Sequence, residues 1–192
     1  MLETRIVKDY RECRRLLKKV YCDEKHWSPP LDNLINHRIV KDELCDDYDD
    51  SSNTVWLGVY DNNLLVGCAR VFVGNRYSHE LDSYMVEACF DGDINPILMN
   101  GMMPDMYVEL NRIASMKGYL YLAYHHLISN VMKIAILYGI PVVSLSNPIM
   151  SLLKEHHTQL GSVTYPGYPS SDVYLFSNPL TTLKRCNHVL NL

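Results

Sequence analysis

An α/β domain with a mixed, mostly antiparallel central sheet covered by helices is predicted by three features of this 192-residue sequence. Two strand-like apolar runs, TVWLGVY (54–60) and LLVGCARVFV (64–73), flank Asp61-Asn62-Asn63, which is hairpin-turn chemistry. A helical stretch over 120–138 ends at Tyr138-Gly139, with Pro141 just beyond, and leads into the short apolar run PVVSLS. The segments as a whole follow the order α, ββ, α, β, α, β, α, ββ, which puts helices against a sheet. With 47% hydrophobic residues and a net charge of −4, the chain reads as one soluble domain over 1–192, neither disordered nor fibrous.

The first predicted element is a helix over 8–22, with Asp9 near its start and Leu16, Leu17 and Val20 on its apolar stripe. Its other face carries Arg11, Arg14, Arg15, Lys18 and Lys19. The polar segment that follows, 23–53, contains Trp27, Pro29-Pro30 and the acidic run KDELCDDYDD; a run of that length has to be functional or ordered on the body of the domain. After the hairpin, a short helix is expected around 80–88, then loops around Gly92, Pro96, Gly101 and Pro104. MYVELNRIAS (106–115) reads as a strand, 120–138 as a helix, 141–146 as a short buried strand and 147–157 as an amphipathic helix. Two more strands are expected near 160–165 and 171–177, whereas 178–192 has too little periodicity to receive an element.

Several function classes are excluded. No stretch is apolar for long enough to cross a bilayer, and MLETRIVKDYRECRR has no signal-peptide core, so a cytoplasmic protein without a transmembrane segment is expected. Mild acidity argues against a nucleic-acid binder. The six cysteines form no Cys-x-x-Cys pair and read as reduced thiols, mostly packed as small apolar side chains. The adjacent pairs His125-His126 and His156-His157 diverge on a helix, so no metal site is expected.

Two charges sit against the apolar pattern. Arg70 lies in the middle of LLVGCARVFV, on the side of Cys68 and Phe72. A guanidinium there needs carboxylates or water, either as a buried ion pair that holds the N-terminal segment down or as part of a substrate cleft. Glu109 and Arg112 would face opposite sides of a regular strand; a β-bulge between them brings both to one side and frees a backbone N–H beside a carboxylate. The alternative is an edge strand with solvated charges, and Glu43, Asp46 and Asp49 equally admit a solvated acidic loop.

VYCDEKHW (20–27), DELCDDYD (42–49), VGCARVF (66–72) and VELNRIAS (108–115), in that order, resemble the autoinducer-synthase branch of the GNAT-like acyltransferases, which comprises acyl-homoserine-lactone synthases and long-chain N-acyl amino acid synthases. Tyr21, Trp27, Asp46, Asp49, Arg70, Glu109 and Arg112 match in order, and the resemblance covers roughly 10–165. It implies a GNAT-like three-layer α/β/α domain in which 1–53 supplies a helix and a segment covering the acceptor. The implied reaction is transfer of a fatty acyl chain from the phosphopantetheine thioester of an acyl carrier protein to the primary amine of a small amino-acid-type acceptor, with no bound cofactor. Glu109 would be the base and the backbone near Glu109–Ile113 the oxyanion donor. Arg70 and Arg112, with Asp46 and Asp49, would order the N-terminal lobe, or Arg70 would meet the acceptor carboxylate. Tyr21 and Trp27 would roof the acceptor. Met102, Met106, Leu122 and Val131, with Met99, Met103, Leu127 and Met150, would line an acyl tunnel. The basic face Arg11, Arg14, Arg15 and Lys18 would steer an acidic carrier protein, or is simply a solvated helix face.

Three departures bear on the substrates. Leu17 stands where homoserine-lactone synthases carry an Arg, and their E-L-S/T-R is Glu109-Leu110-Asn111-Arg112 here. The Gly-rich pyrophosphate loop of coenzyme-A-dependent GNATs is missing, which favours a carrier-protein donor. A homoserine-lactone synthase using S-adenosylmethionine, a coenzyme-A-dependent acetyltransferase and a catalytically silent GNAT-like binding protein are the competing readings.

Overall fold

A computed structural model describes residues 1–75, 84–145, 153 and 157–190. Its centre is a seven-stranded sheet in the order β1-β4-β5-β6-β7-β9-β8, built from β1 (Leu2–Ile6), β4 (Thr54–Asp61), β5 (Leu64–Asn75), β6 (Met106–Ser115), β7 (Val142–Leu145), β8 (Thr158–Val163) and β9 (Ser171–Phe176). A small separate hairpin pairs β2 (Arg38–Val40) with β3 (Glu43–Cys45). Every neighbouring pair of the large sheet is antiparallel except β6 and β7, so the sheet is mixed and mostly antiparallel.

Both faces are covered because β5 and β6 are apolar on both sides. One face packs Val59, Val71, Leu110 and Val142 against α4 (Leu120–Tyr138), with Cys186 of α5 (Pro179–Leu190) at the edge of that core. The other face is split. Near β4, Trp56 and Cys68 lie under α1 (Arg11–Leu17); nearer β9, Phe72, Tyr107 and Val143 lie against α2 (Met85–Ala88). This is the expected three-layer arrangement. The hairpin turn after β4 uses Asn62 and Asn63 at φ 48° and 67°, the left-handed pair that a two-residue turn of a twisted hairpin demands. Helix α4 ends on Gly139 at φ 67°, which closes the helix in a conformation glycine adopts without a Cβ clash.

The structure revises several elements. The N-terminus is a strand, β1, paired with β4, and α1 begins at Arg11 rather than at residue 8. Alternation of charged and apolar residues in LETRI is the period of an edge strand with one wet face. The helix continues as a π-helical segment, Lys18–Glu24, and so runs past residue 22. Part of the polar 23–53 segment is ordered as the β2–β3 hairpin. The region read as loops contains α3 (Asn95–Met99), with Pro96 in its first turn, where its missing N–H is harmless. The unassigned tail is α5. The helix expected over 80–88 is seen as α2, its first residues lying outside the described ones; the helix expected over 147–157, and Met150 with it, lies outside them except for Leu153 and His157.

Candidate active site

The register of β5 against β6 slips between Cys68 and Arg70: Cys68 faces Ala114, and Arg70 faces Asn111. One extra residue of β6 is accommodated there, with Arg112 at φ 49°. This bulge turns consecutive side chains, Asn111 and Arg112, toward the same face as Glu109 and Arg70, which decides for the bulge over the edge strand with solvated charges.

Beneath the N-terminal lobe the four charged groups form a buried network. Arg70 Nη1 donates to Asp46 and, at 2.6 Å, to Asp49 Oδ1; its Nε donates to Asn111 Oδ1 at 2.9 Å, and Nη2 faces the Met85 sulfur. Arg112 Nη1 donates to Asp46 Oδ2 at 2.7 Å, and its Nη2 to the Leu44 carbonyl at 2.7 Å. Arg14 adds Asp49 at 3.0 Å and Asp50 at 2.9 Å, tying α1 to the same loop. Burial alone would raise the Asp46 carboxyl, but Arg70 and Arg112 overcome it and hold its pKa below the usual carboxylate range. Of the two explanations for Arg70, the ion pair that pins the N-terminal segment is the one with geometry behind it.

A pocket of about 300 Å³ opens where β6 outruns β7. The last β6–β7 pair is Leu110 with Ser144, β7 ends at Leu145, and β6 continues to Ser115. The buried edge of β6 where its pairing with β7 ends, Leu110 to Ile113, forms one wall, with Leu120 and Tyr124 of α4 beside it. Tyr21, Lys25 and Trp27 close another side, and Tyr165, Tyr168 and Pro169 of the β8–β9 connection a third. Tyr21, Trp27 and Tyr168 stand with ring centroids 5.2–5.6 Å apart, and Lys25 Nζ lies 4.3 Å from the Trp27 centroid. Tyr21 Oη donates to the Ile113 carbonyl at 2.5 Å. His37 Nε2 pairs with Tyr168 Oη at 2.9 Å and its Nδ1 with the Pro166 carbonyl at 3.1 Å. Burial, with Arg112 nearby, pushes His37 down to about 4, so it is neutral, donating through Nδ1 and accepting from Tyr168.

Two buried groups of the wall lack a hydrogen-bond partner among the described residues: Arg112 Nε and Tyr165 Oη. Both atoms are closed off within the wall, and burying them unmet is unfavourable, so they are the donors there left to be satisfied. Behind the wall, Glu109 is 2% exposed and accepts from Asn111 Nδ2 at 2.6 Å, while its Oε2 has no partner of good geometry. Burial raises its pKa to about 7, against the lowering influence of Asn111, Arg70 and the Val86 amide.

Of the residues singled out from sequence, Tyr21, Trp27 and Arg112 line this pocket; Asp46, Asp49 and Arg70 support it from the buried network, and Glu109 lies one side chain behind it. The expected tunnel residues are elsewhere. Met102, Met106 and Leu122 are 40–48% exposed and Met99 more so, Val131 and Leu127 are packed in the core under α4, and Met103 in the core beside α2. The basic helix face is also not free: Arg11 pairs with Asp9, Arg14 with Asp49 and Asp50, Arg15 with Glu43, and Lys18 with Asp23 and Asp42. Lys25, Tyr165, Tyr168 and His37 were not anticipated. The one trace of Tyr165 and Tyr168 was the turn-forming YPGYP run (165–169), and Tyr168 meets Tyr21, Trp27 and His37 more than a hundred residues away. Among the described residues no group of three or more His, Cys, Asp or Glu could hold a metal ion, and no helix is long and apolar enough to cross a membrane.

The backbone resembles those of known acyltransferases. An N-acyl amino acid synthase from uncultured soil microbes, FeeM, superposes with a TM-score of 0.62 at 13% identity, covering 92% of each chain. The coenzyme-A-dependent acyl-homoserine lactone synthase MesI gives 0.65 at 15% identity over 99% of this chain and 96% of its own. An N-acetyltransferase from Staphylococcus aureus Mu50 gives 0.52 at 11% identity over 94% and 99%. This is the GNAT fold. FeeM and MesI, which share this fold, are synthases of the two kinds whose motif order the sequence resembles. No family model matches the chain, and no curated protein matches it by sequence.

Proposed function

We propose that the protein is an N-acyltransferase that moves a fatty acyl chain from an acyl-carrier-protein thioester to the primary amine of an amino-acid-type acceptor. The observation that carries this reading is the pocket at the β6–β7 divergence. It combines an apolar floor, an aromatic roof and unmet hydrogen-bond donors beside a buried carboxylate of raised pKa. Leu110, Ile113, Leu120 and Leu145 offer the acyl group an apolar surface, a role the exposed methionines do not fill.

In the proposed step the neutral amine attacks the thioester carbonyl, the C–N bond forms, the C–S bond breaks and the thiolate leaves. An α-amino group with an ordinary pKa near 7.7–8.0 is already partly neutral at pH 7, so a modest base suffices. Glu109 takes the amine proton through a water, since the wall of Asn111 and Tyr165 stands between them. Arg112 Nε and the bulged backbone beside it donate to the developing oxyanion, and the rigid pocket holds the two reactants in attack geometry.

Fully buried Leu17 favours an amino-acid acceptor over S-adenosylmethionine: it packs against the core under β5, where an Arg would be an unpaired buried charge. For the donor, the missing pyrophosphate loop favours a carrier protein, and the similar fold of the coenzyme-A-dependent MesI makes acyl-coenzyme A the competing donor. Mass spectrometry of lipid extracts from cells overproducing the protein, with Glu109→Gln as control, tests the reading. A new N-acyl amino acid series dependent on Glu109 supports it, and an acyl-homoserine lactone would replace the acceptor. Identical extracts, together with purified protein inert toward acyl carrier protein and acyl-coenzyme A alike, would leave a binding protein.

A further inference from the structure

The pocket wall is electrically one-sided. Its lining includes two cationic side chains, Lys25 and Arg112, and no Asp or Glu. The Nη groups of Arg112 are committed to Asp46, Asp49 and the Leu44 carbonyl. Lys25 is different: among the described residues no carboxylate lies within ion-pair distance of its ammonium, although Arg14, Arg15 and Lys18 on the same stretch of chain all have one. Its ammonium is instead held over aromatic faces, 4.3 Å from the Trp27 centroid and 5.3 Å from that of Tyr21. Such stacking fixes where a cation sits without neutralising it. Lys25 is an exposed residue at the pocket rim, where partial burial against these rings pushes its pKa down against the raising influence of Glu24.

We propose that Lys25 binds the carboxylate of the acceptor, so that the enzyme selects amines carrying a carboxylate next to the amine and rejects the corresponding amides. This rests on the acyltransferase reading and assigns the selectivity to Lys25, which lies within VYCDEKHW but is not one of the residues matched there. In this arrangement the aromatic trio Tyr21, Trp27 and Tyr168 packs on the acceptor, and Lys25 at the rim orients it with its amine toward Arg112. A phosphate on the donor's pantetheine arm is the other anion that this cation could meet.

Calorimetric binding separates the possibilities without requiring turnover. The wild-type protein is expected to bind N-decanoylalanine roughly 10–100-fold more tightly than N-decanoylalanine amide, the range of one charge-assisted contact. Lys25→Met, with an unchanged unfolding midpoint, is expected to bind the two alike by weakening only the acid, and Lys25→Arg to recover most of the preference. In turnover assays Lys25→Met should raise the KM of the amino acid and leave that of the acyl donor within about twofold. A preference retained in Lys25→Met, no preference in the wild type, or a rise confined to the donor's KM overturns the assignment. Lys25-dependent binding of the acid by a protein that transfers no acyl group would instead leave the assignment standing and remove the acyltransferase reading.

Discussion

Arg70 and Arg112 reach the same two aspartates from neighbouring strands, yet the sequence context of each sends it to a different task. Every nitrogen of Arg70 has a protein partner, and its side chain is fully buried away from the pocket. Arg112 sits on the bulge at φ 49°, spends its two Nη groups on the network and leaves Nε buried and unmet within the pocket wall. A saturated buried charge is a fastener, and one left with a free donor in a pocket wall is poised for a ligand. The bulge makes the difference: without the extra residue Arg112 would point into the α4 face, where Leu110 and Ile113 pack.

The largest effect should come from breaking the fastener. Arg70→Met leaves Asp46 and Asp49 buried with only Arg112 and Arg14 to answer them, and is expected to destabilise the protein by about 3–5 kcal/mol in urea unfolding. A loss under about 1 kcal/mol would show that Arg70 is not structural. Next is Glu109. Its carboxyl holds a proton up to about pH 7 in the folded protein but loses it near 4.5 when unfolded. The folded state therefore binds more protons between those values, and stability falls as pH rises from about 4.5 to 7, by up to roughly 3 kcal/mol. Glu109→Gln should flatten that slope, leaving the variant more stable than the wild type at pH 8. Parallel stability–pH curves for the two proteins would contradict the raised pKa.

A smaller change sharpens the pocket side of the comparison. Gly167, at φ 88°, lies so close to the acceptor-covering segment that a Cβ would stand 2.2 Å from the Ser28 carbonyl oxygen. Gly167→Ala should cost about 2 kcal/mol and displace Tyr165 and Tyr168, raising the acceptor KM more than the donor KM. The smallest effect belongs to the exposed rim: Arg11→Ala with Arg15→Ala should alter the carrier-protein KM less than about threefold at 0.15 M salt, because both cations already face carboxylates. A tenfold, salt-sensitive rise would restore the docking role expected from the basic helix face.

The sheet's centre was legible because its signals are local. Strand β6 and helix α4 fall on the residues that period and punctuation predicted, whereas the spacing of Glu109 and Arg112 left a bulge and a solvated edge strand equally open. Arg70 in an apolar strand announced a need for carboxylates or water, but that Asp46 and Asp49 supply them was implied only by the motif order. Strand β1 was hidden because a short charged edge strand running into a helix offers little apolar pattern of its own. The pocket was half legible: Tyr21 and Trp27 came from motif order, whereas Tyr165, Tyr168 and His37 meet them only through tertiary packing. The methionine stripe misled because Met99, Met102 and Met106 flank a surface helix and the start of β6 rather than the strand divergence.

The central claim, that an amine meets an acyl thioester in the β6–β7 pocket, is tested most directly with purified protein, decanoyl-thioesters of acyl carrier protein and of coenzyme A, and a mixture of amino acids. Free thiol and N-acylated product should be followed together by mass spectrometry. Thiol release matched one for one by an N-decanoyl amino acid, with at least a tenfold loss in Arg112→Lys, is the predicted result. Thioester hydrolysis without amide formation, or no turnover of either donor by the folded protein, would contradict it.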